Sequence, residues 1–158
     1  MSTPEASRAQ QLADAVGREF YAHDAAVQAM GMTLTAIGPG RAEFAMTVRD
    51  DMLNSHGTCH GGLIFTLADT AFAYACNAHN RRCVAQSCSI TFLAPAPAGS
   101  RLIARCNAVA SAGRSGIYDT TVTDDDGTTI ALFRGQSREV KGTILDAEPD
   151  PTPEGGSS

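Results

Sequence analysis

The chain reads as an α+β fold in which an antiparallel β-sheet wraps one long central helix. Three observations predict it. Residues Leu63 to Ala78 are apolar on every side of a helical projection, a pattern that belongs to a helix surrounded by protein. From Val84 to Val140 the chain is a series of extended runs separated by Gly, Pro and Asp-Gly turn signals. Ahead of the helix, two alternating runs meet at Gly38-Pro39-Gly40, the composition of a hairpin turn.

Taken in order, Thr3-Pro4-Glu5 starts a first helix, with Leu12, Val16 and Phe20 at four-residue spacing on one face. Asp24 caps a short turn through Ala25 to Met30. Met32, Leu34 and Ala36 then alternate with polar residues, and after the glycine-proline turn Ala42, Phe44, Met46 and Val48 do the same. Asn54 to Gly62 is a loop rich in Gly and His, leading into the apolar helix. Val84 to Leu93 is an extended run broken off by Pro95-Ala96-Pro97-Ala98-Gly99, and Leu102 to Ala110 resumes it. Gly113 and Gly116 mark the next turn, Ile117 to Thr123 is rich in β-branched residues, and Asp126-Gly127 joins it to Thr128–Val140 as an antiparallel pair. From Asp146 onward the chain is acidic and rich in Pro and Gly, with almost nothing to bury. The expected partition is an N-terminal helix (1–23), one folded domain (24–141) and a disordered tail (142–158), with no internal repeats.

Composition sets further bounds. The 158 residues suffice for one good core, and 43% apolar with 18% charged is the balance of a soluble globular protein. A net charge of -5 without a basic stripe argues against nucleic acid, whose phosphates demand clustered Lys and Arg. The apolar stretch is shorter than the roughly 20 residues that span a bilayer, and Asp69 interrupts it, so no membrane role is expected. The N-terminus lacks the apolar run of a secretory signal, which makes the cytoplasm the expected compartment. Five cysteines form an odd set without zinc-ribbon spacing, so reduced thiols are expected rather than a disulfide framework.

Asp69 is the most anomalous residue. Its helical neighbours at three and four positions are Phe65, Thr66, Phe72 and Ala73, none of which neutralises a carboxylate. Burying it unpartnered would cost several kcal/mol in order of magnitude. Either it hydrogen-bonds a neighbouring loop, or it is a general base or nucleophile held in a dry pocket. Gly61 and Gly62 open the helix, where unpaired N–H groups and a partial positive charge can hold the oxygen of a thioester as it gains charge. Taken alone the pair would signify only a tight turn; beside Asp69 it reads as an oxyanion site. Asn54 offers a donor and an acceptor that do not titrate, and His60 either caps the helix or fixes the loop. His56, Cys59 and His60 lack a fourth metal ligand, so no metal and no cofactor are expected. Ser55 lies in no strand-to-helix nucleophile elbow.

The segment from Asn54 to Asn77 (NSHGTCHGGLIFTLADTAFAYACN) closely resembles the signature of the PaaI-type phenylacetyl-CoA thioesterases, and the resemblance extends over roughly Asp24 to Lys141. It implies a hotdog fold, hydrolysis of aryl-acetyl or related acyl-CoA substrates, and a homo-oligomer arranged as a dimer of dimers. By position, Asp69 matches the catalytic carboxylate, Gly61 the backbone donor to the thioester carbonyl, and Asn54 and His60 the supporting polar residues. Gly62, Phe72, Gln86 and Ser87 are expected to line the substrate pocket, and Arg114 with Ser115 to meet the CoA phosphates.

Two rivals remain. A hotdog hydratase or dehydratase would carry a His-Phe-Pro-Gly type loop, which is absent; a noncatalytic acyl-CoA sensor would need a partner domain. Helix geometry adds one expectation. Gly61 and Asp69 are eight positions apart, a rise of about 12 Å at 1.5 Å per residue, so one thioester carbon cannot touch both. The carboxylate must meet the helix start and Asn54 of a second, antiparallel copy, which a two-fold dimer supplies twice.

Overall fold

The computed structural model describes residues 3–146. Helix α1 (Pro4–His23) begins where the sequence places it: Thr3 Oγ1 accepts from Ala6 N at 3.2 Å, and proline occupies the first turn. Its inward stripe is Ala13, Val16 and Gly17, while Leu12 is 37% exposed. The face is rotated from the expected Leu12-Val16-Phe20 line because Gly17 lets the helix approach strand β1 (Thr33–Gly38): a Cβ there would sit 3.0 Å from Leu34 Cδ2. Asp24 caps α2 (Ala25–Ala29) by accepting from Val27 N, as its position predicts.

Strands β1 and β2 (Arg41–Thr47) form the expected hairpin, with Gly40 at φ +67° after Pro39 as a two-residue turn of this composition demands. The inward residues of β2 are those read from alternation: Ala42, Phe44 and Met46 are buried, with Val48 following. In β1 the alternation breaks. The register shifts between Leu34 and Ala36, and the Thr35 hydroxyl donates to the Glu43 backbone oxygen and to Oε1. This bulge changes the phase, so Ile37 is buried and Ala36, expected inside, is exposed.

The remaining strands are β3 (Cys83–Phe92), β4 (Arg101–Ala112), β5 (Ser115–Thr123) and β6 (Thr129–Glu139). They join the hairpin in one six-stranded sheet of order β1-β2-β4-β5-β6-β3, antiparallel throughout. The β5–β6 hairpin turns as its Asp-Gly signal predicts, with Gly127 at φ +79° and Asp124 Oδ1 accepting from Asp126 N and Thr128 N. Gly116, expected in the preceding turn, lies within β5 and is buried, because a Cβ there would meet the Tyr118 ring at 2.8 Å.

Helix α3 (Gly61–Asn77) lies across one face of the sheet, chiefly against β2, β4 and β5. Ile64, Leu67, Ala68, Ala71, Phe72, Tyr74 and Ala75 enter the core. The expectation of burial on every side is met on most of the circumference but not on the line Gly62, Thr66, Asp69, Ala73, which the chain's own sheet leaves open. At its C-terminal end Asn77 Nδ2 donates to Ala73 O and to Cys83 O, and Cys83 N donates back to Asn77 Oδ1 at 2.9 Å. That one buried amide welds the helix to the start of β3.

β3 is an edge strand, paired only with β6, and it exposes large apolar residues: Val84 is 47%, Phe92 50% and neighbouring Leu93 56% exposed. Beyond β6, residues 142–146 still associate with the α3–β3 connection, where Asn80 Oδ1 accepts from Ile144 N and Leu145 N. The expected tail runs from 142, and its residues 147–158 lie outside the described residues. Among the described residues no helix is long and apolar enough to cross a membrane.

Candidate active site

The loop before α3 is organised by Asn54. Its Oδ1 accepts from His56 N at 2.9 Å and Thr58 N at 3.2 Å, while Asn54 N donates to Thr58 O. With the acceptor committed to the loop, the Nδ2 amide is what Asn54 brings to the cleft that it lines. That cleft, about 400 Å³, is bounded also by Thr58, Cys59, Gly61, Ile64 and Phe92. A larger groove of about 500 Å³ lies between α1 and β1 and holds none of the candidate site residues.

His60 is the N-cap of α3, and its Nδ1 accepts from Gly62 N at 3.0 Å. An accepting Nδ1 places the proton of the neutral ring on Nε2. The cap also separates the two glycines. The Gly62 N–H is consumed by His60, whereas the Gly61 N–H has no acceptor among the described residues. Gly61 is thus the one of the pair with a free donor at the positive end of the helix, and Gly62 can offer substrate only its surface. A side chain at Gly61 would press on the Phe92 ring, 3.0 Å from Cζ, so glycine keeps the approach to that N–H open.

Asp69 stands half-buried on the open line of α3, and burial raises its carboxyl above the ordinary range. The Cys88 thiol of β3 donates to Asp69 Oδ1 at 3.9 Å and opposes that shift. Contacts at both ends give the relative course of helix and strand: Gly61 lies beside Phe92 and Asp69 beside Cys88, so β3 runs antiparallel along α3. Eight helical residues and four strand residues each span roughly 12–13 Å, and the two measures agree. Within one chain the open N–H and the carboxylate are therefore far apart, as helix rise alone requires. Nothing in the sequence singles out Cys88; its role depends on which edge strand lies beside the helix.

The other sequence candidates separate. Gln86 and Ser87 are exposed on β3, with a register shift between Ala85 and Ser87. Phe72, expected at the pocket, is 1% exposed; its ring packs on Tyr118 and Phe133 and against Gly135, where a Cβ would meet it at 2.8 Å. It is a core residue with no surface for a ligand. Tyr74 is likewise internal, between Phe20 and Phe44, with its hydroxyl donating to Asp24 Oδ2. Arg114 and Ser115 lie at the opposite end of α3, in a small cleft with Cys76, His79 and Arg81, where Arg114 Nε donates to Glu139 O.

A sheet packed on one long helix, with an open N–H at the helix start and a carboxylate further along, is the hotdog arrangement. The thioesterase superfamily model matches residues 56–131, from the loop before α3 into β6. Acyl-coenzyme A thioesterase PaaI of Escherichia coli K12 is 44% identical over 125 residues, 79% of this chain and 89% of that protein. The structure of the E. coli PaaI protein from the phenylacetic acid degradation operon aligns with a TM-score of 0.84 at 40% identity, covering 85% of this chain and 98% of that one. A variant of the phenylacetic acid degradation protein PaaI from Thermus thermophilus aligns with a TM-score of 0.72 at 38% identity, covering 74% and 100%. The chain belongs to the thioesterase superfamily and, within it, to the PaaI-type thioester hydrolases.

Proposed function

We propose that the protein hydrolyses acyl-CoA thioesters, with phenylacetyl-CoA and ring-hydroxylated aryl-acyl-CoA compounds as preferred substrates, at sites built by two copies of the chain. The observation that carries the reading is the unpaired Gly61 N–H at the start of α3, next to a Gly62 N–H already used by His60. A donor left open at a helix N-terminus is what a thioester carbonyl needs as its oxygen gains charge. The E. coli relative, described as an acyl-coenzyme A thioesterase and as a product of the phenylacetic acid degradation operon, supports the substrate class.

In this mechanism the carbonyl oxygen accepts from Gly61 N–H, with Asn54 Nδ2 beside it. The ionised Asp69 supplies the electron pair, either by drawing a proton from the attacking water or by attacking the carbonyl carbon itself. The C–S bond breaks, CoA leaves as the thiol, and water supplies the second oxygen of the acid. Phe65 on α3 and Phe92 beside Gly61 keep exposed surface and are assigned to meet an aryl group. Gln86 and Ser87 are assigned to the pocket wall, and Arg114 and Ser115, near Arg81, to the CoA phosphates.

The shared site is supported by the separation of Gly61 from Asp69 along α3, by the open Gly62-Thr66-Asp69-Ala73 line, and by the apolar edge of β3. A two-fold dimer that covers both surfaces sets each Asp69 against the other copy's helix start, and two such dimers make the tetramer. The cytoplasm is the assigned compartment, which five unpaired cysteines suit. An acyl-CoA panel with a thiol-trapping dye tests the activity. Aryl-acetyl-CoAs should give the highest kcat/KM, and equal values for acetyl-CoA would overturn the substrate class. Asp69→Asn should lose about a hundredfold or more in kcat while keeping its fold; a loss of only a few-fold would return Asp69 to a structural role.

A further inference from the structure

We propose that Cys88 is a positioning residue for the Asp69 carboxylate, its thiol holding Oδ1 in the reactive orientation from the neighbouring strand. The inference rests on the reading of Asp69 as the catalytic carboxylate. Among the described residues the Cys88 thiol is the one side-chain partner of Asp69, at 3.9 Å from Oδ1. A carboxylate on a helix with an alanine before it and a threonine after it, and with no cation in reach, has little else to set its rotamer.

The choice of sulfur has a physical sense. A hydroxyl or an amide would hold the oxygen more tightly but would also lower its basicity, whereas a thiol is a weak donor. Burial first, and the Asp69 charge after it, push the Cys88 thiol upward, so it stays protonated and able to donate at neutral pH. The arrangement orients the carboxylate while leaving most of its raised basicity intact. Among the described residues no ion pair includes Asp69, and several ionisable groups on the elements around α3 pair with one another instead. Glu43 of β2 pairs with Arg105 of β4, and Asp119 of β5 with Arg134 of β6. Cys106 and Tyr118 sit with Cys76 and Cys83 toward the far end of the helix, and Arg81 pairs with Glu139 there. On α1, Glu19 pairs with His23, and Asp24 meets Tyr74. Arg41 of β2 lies over Gly38, and β1 carries no ionisable side chain.

The test compares wild type, Cys88→Ala and Cys88→Ser by two readouts. The first is the pH profile of kcat and kcat/KM; the second is the ionisation of Asp69 itself, followed by NMR with 13C at the aspartate γ-carbon and assigned with Asp69→Asn. Cys88→Ala should lower kcat about three- to tenfold, as expected for loss of one modest hydrogen bond. It should also move the acid limb and the Asp69 titration to higher pH, because burial is no longer opposed. Cys88→Ser should recover most of kcat and move both to lower pH. Superimposable titrations in all three proteins would overturn the contact, and the serine variant keeps the test available should the alanine variant fold poorly. A shifted titration with unchanged rates, in an enzyme that Asp69→Asn inactivates, would overturn the positioning role. An active Asp69→Asn enzyme would instead overturn the assignment of Asp69.

Discussion

Subunit mixing distinguishes a shared site from a site within one chain. The perturbation uses two variants, each disabling one half. Asp69→Ala removes the carboxylate. Asn54→Asp removes the amide donor but keeps the oxygen that holds His56 N and Thr58 N, so the loop before α3 retains its hydrogen bonds. Alanine at 54 would confound lost chemistry with a collapsed loop. The expected magnitude follows from geometry. Gly61 and Asp69 are about 12 Å apart along α3, whereas reacting atoms must come within roughly 3–3.5 Å, so one chain cannot complete a site. In a heterodimer one site receives native Asp69 from one chain and native Asn54 from the other, while the second site carries both lesions. Random pairing makes about half the dimers mixed, each with one intact site of two, and roughly a quarter of wild-type activity should return. The assay is release of CoA thiol from phenylacetyl-CoA after co-refolding differently tagged chains. Heterodimers purified through both tags should reach about half of wild type by the same counting. Purified heterodimers no more active than either parent would refute the shared site.

Two further predictions concern stability. Burial raises the Asp69 carboxyl in the folded chain, so the folded state binds that proton more tightly than the unfolded state does. The associated stability is complete below the unfolded pKa, about 3.9, and is lost as pH rises through the folded value. Asp69→Asn should therefore melt higher than wild type at pH 7, with the advantage shrinking toward pH 4; a lower Tm at pH 7 would contradict a desolvated carboxylate. Asn77→Ala strips partners from Cys83 N and Cys83 O together and should cost about 3 kcal/mol in urea denaturation. A cost below about 1 kcal/mol would show that water replaces the amide without loss.

Local features were legible because their causes are local. Thr3-Pro4, Asp24 and Asp126-Gly127 announce helix starts and a hairpin through bonds spanning two to four residues, and all three do so in the structure. Alternation located the inward face of β2 and failed in β1, where the Thr35 bulge depends on Glu43 of the neighbouring strand. The candidate site divides in the same way. Asp69 was conspicuous because no residue within one helical turn could neutralise it, and Gly61-Gly62 because glycine pairs open helices closely.

Tertiary structure alone decided which candidate does what. Phe72 read as a pocket residue, but packing against the sheet turns it into the core, and the absence of a side chain at Gly135 makes room for its ring. The His60 cap tells Gly61 from Gly62, since only one of the two N–H groups can satisfy one imidazole nitrogen. That β3 skips past β4 and β5 to pair with β6 at the sheet edge is set by packing between residues far apart in sequence, and it brings Cys88 to Asp69. Sequence by itself determined a helix wrapped by strands and a carboxylate that needed explaining. The three-dimensional fold supplied the carboxylate's neighbours, because burial and hydrogen-bond partners belong to the whole packed chain and not to any window of it.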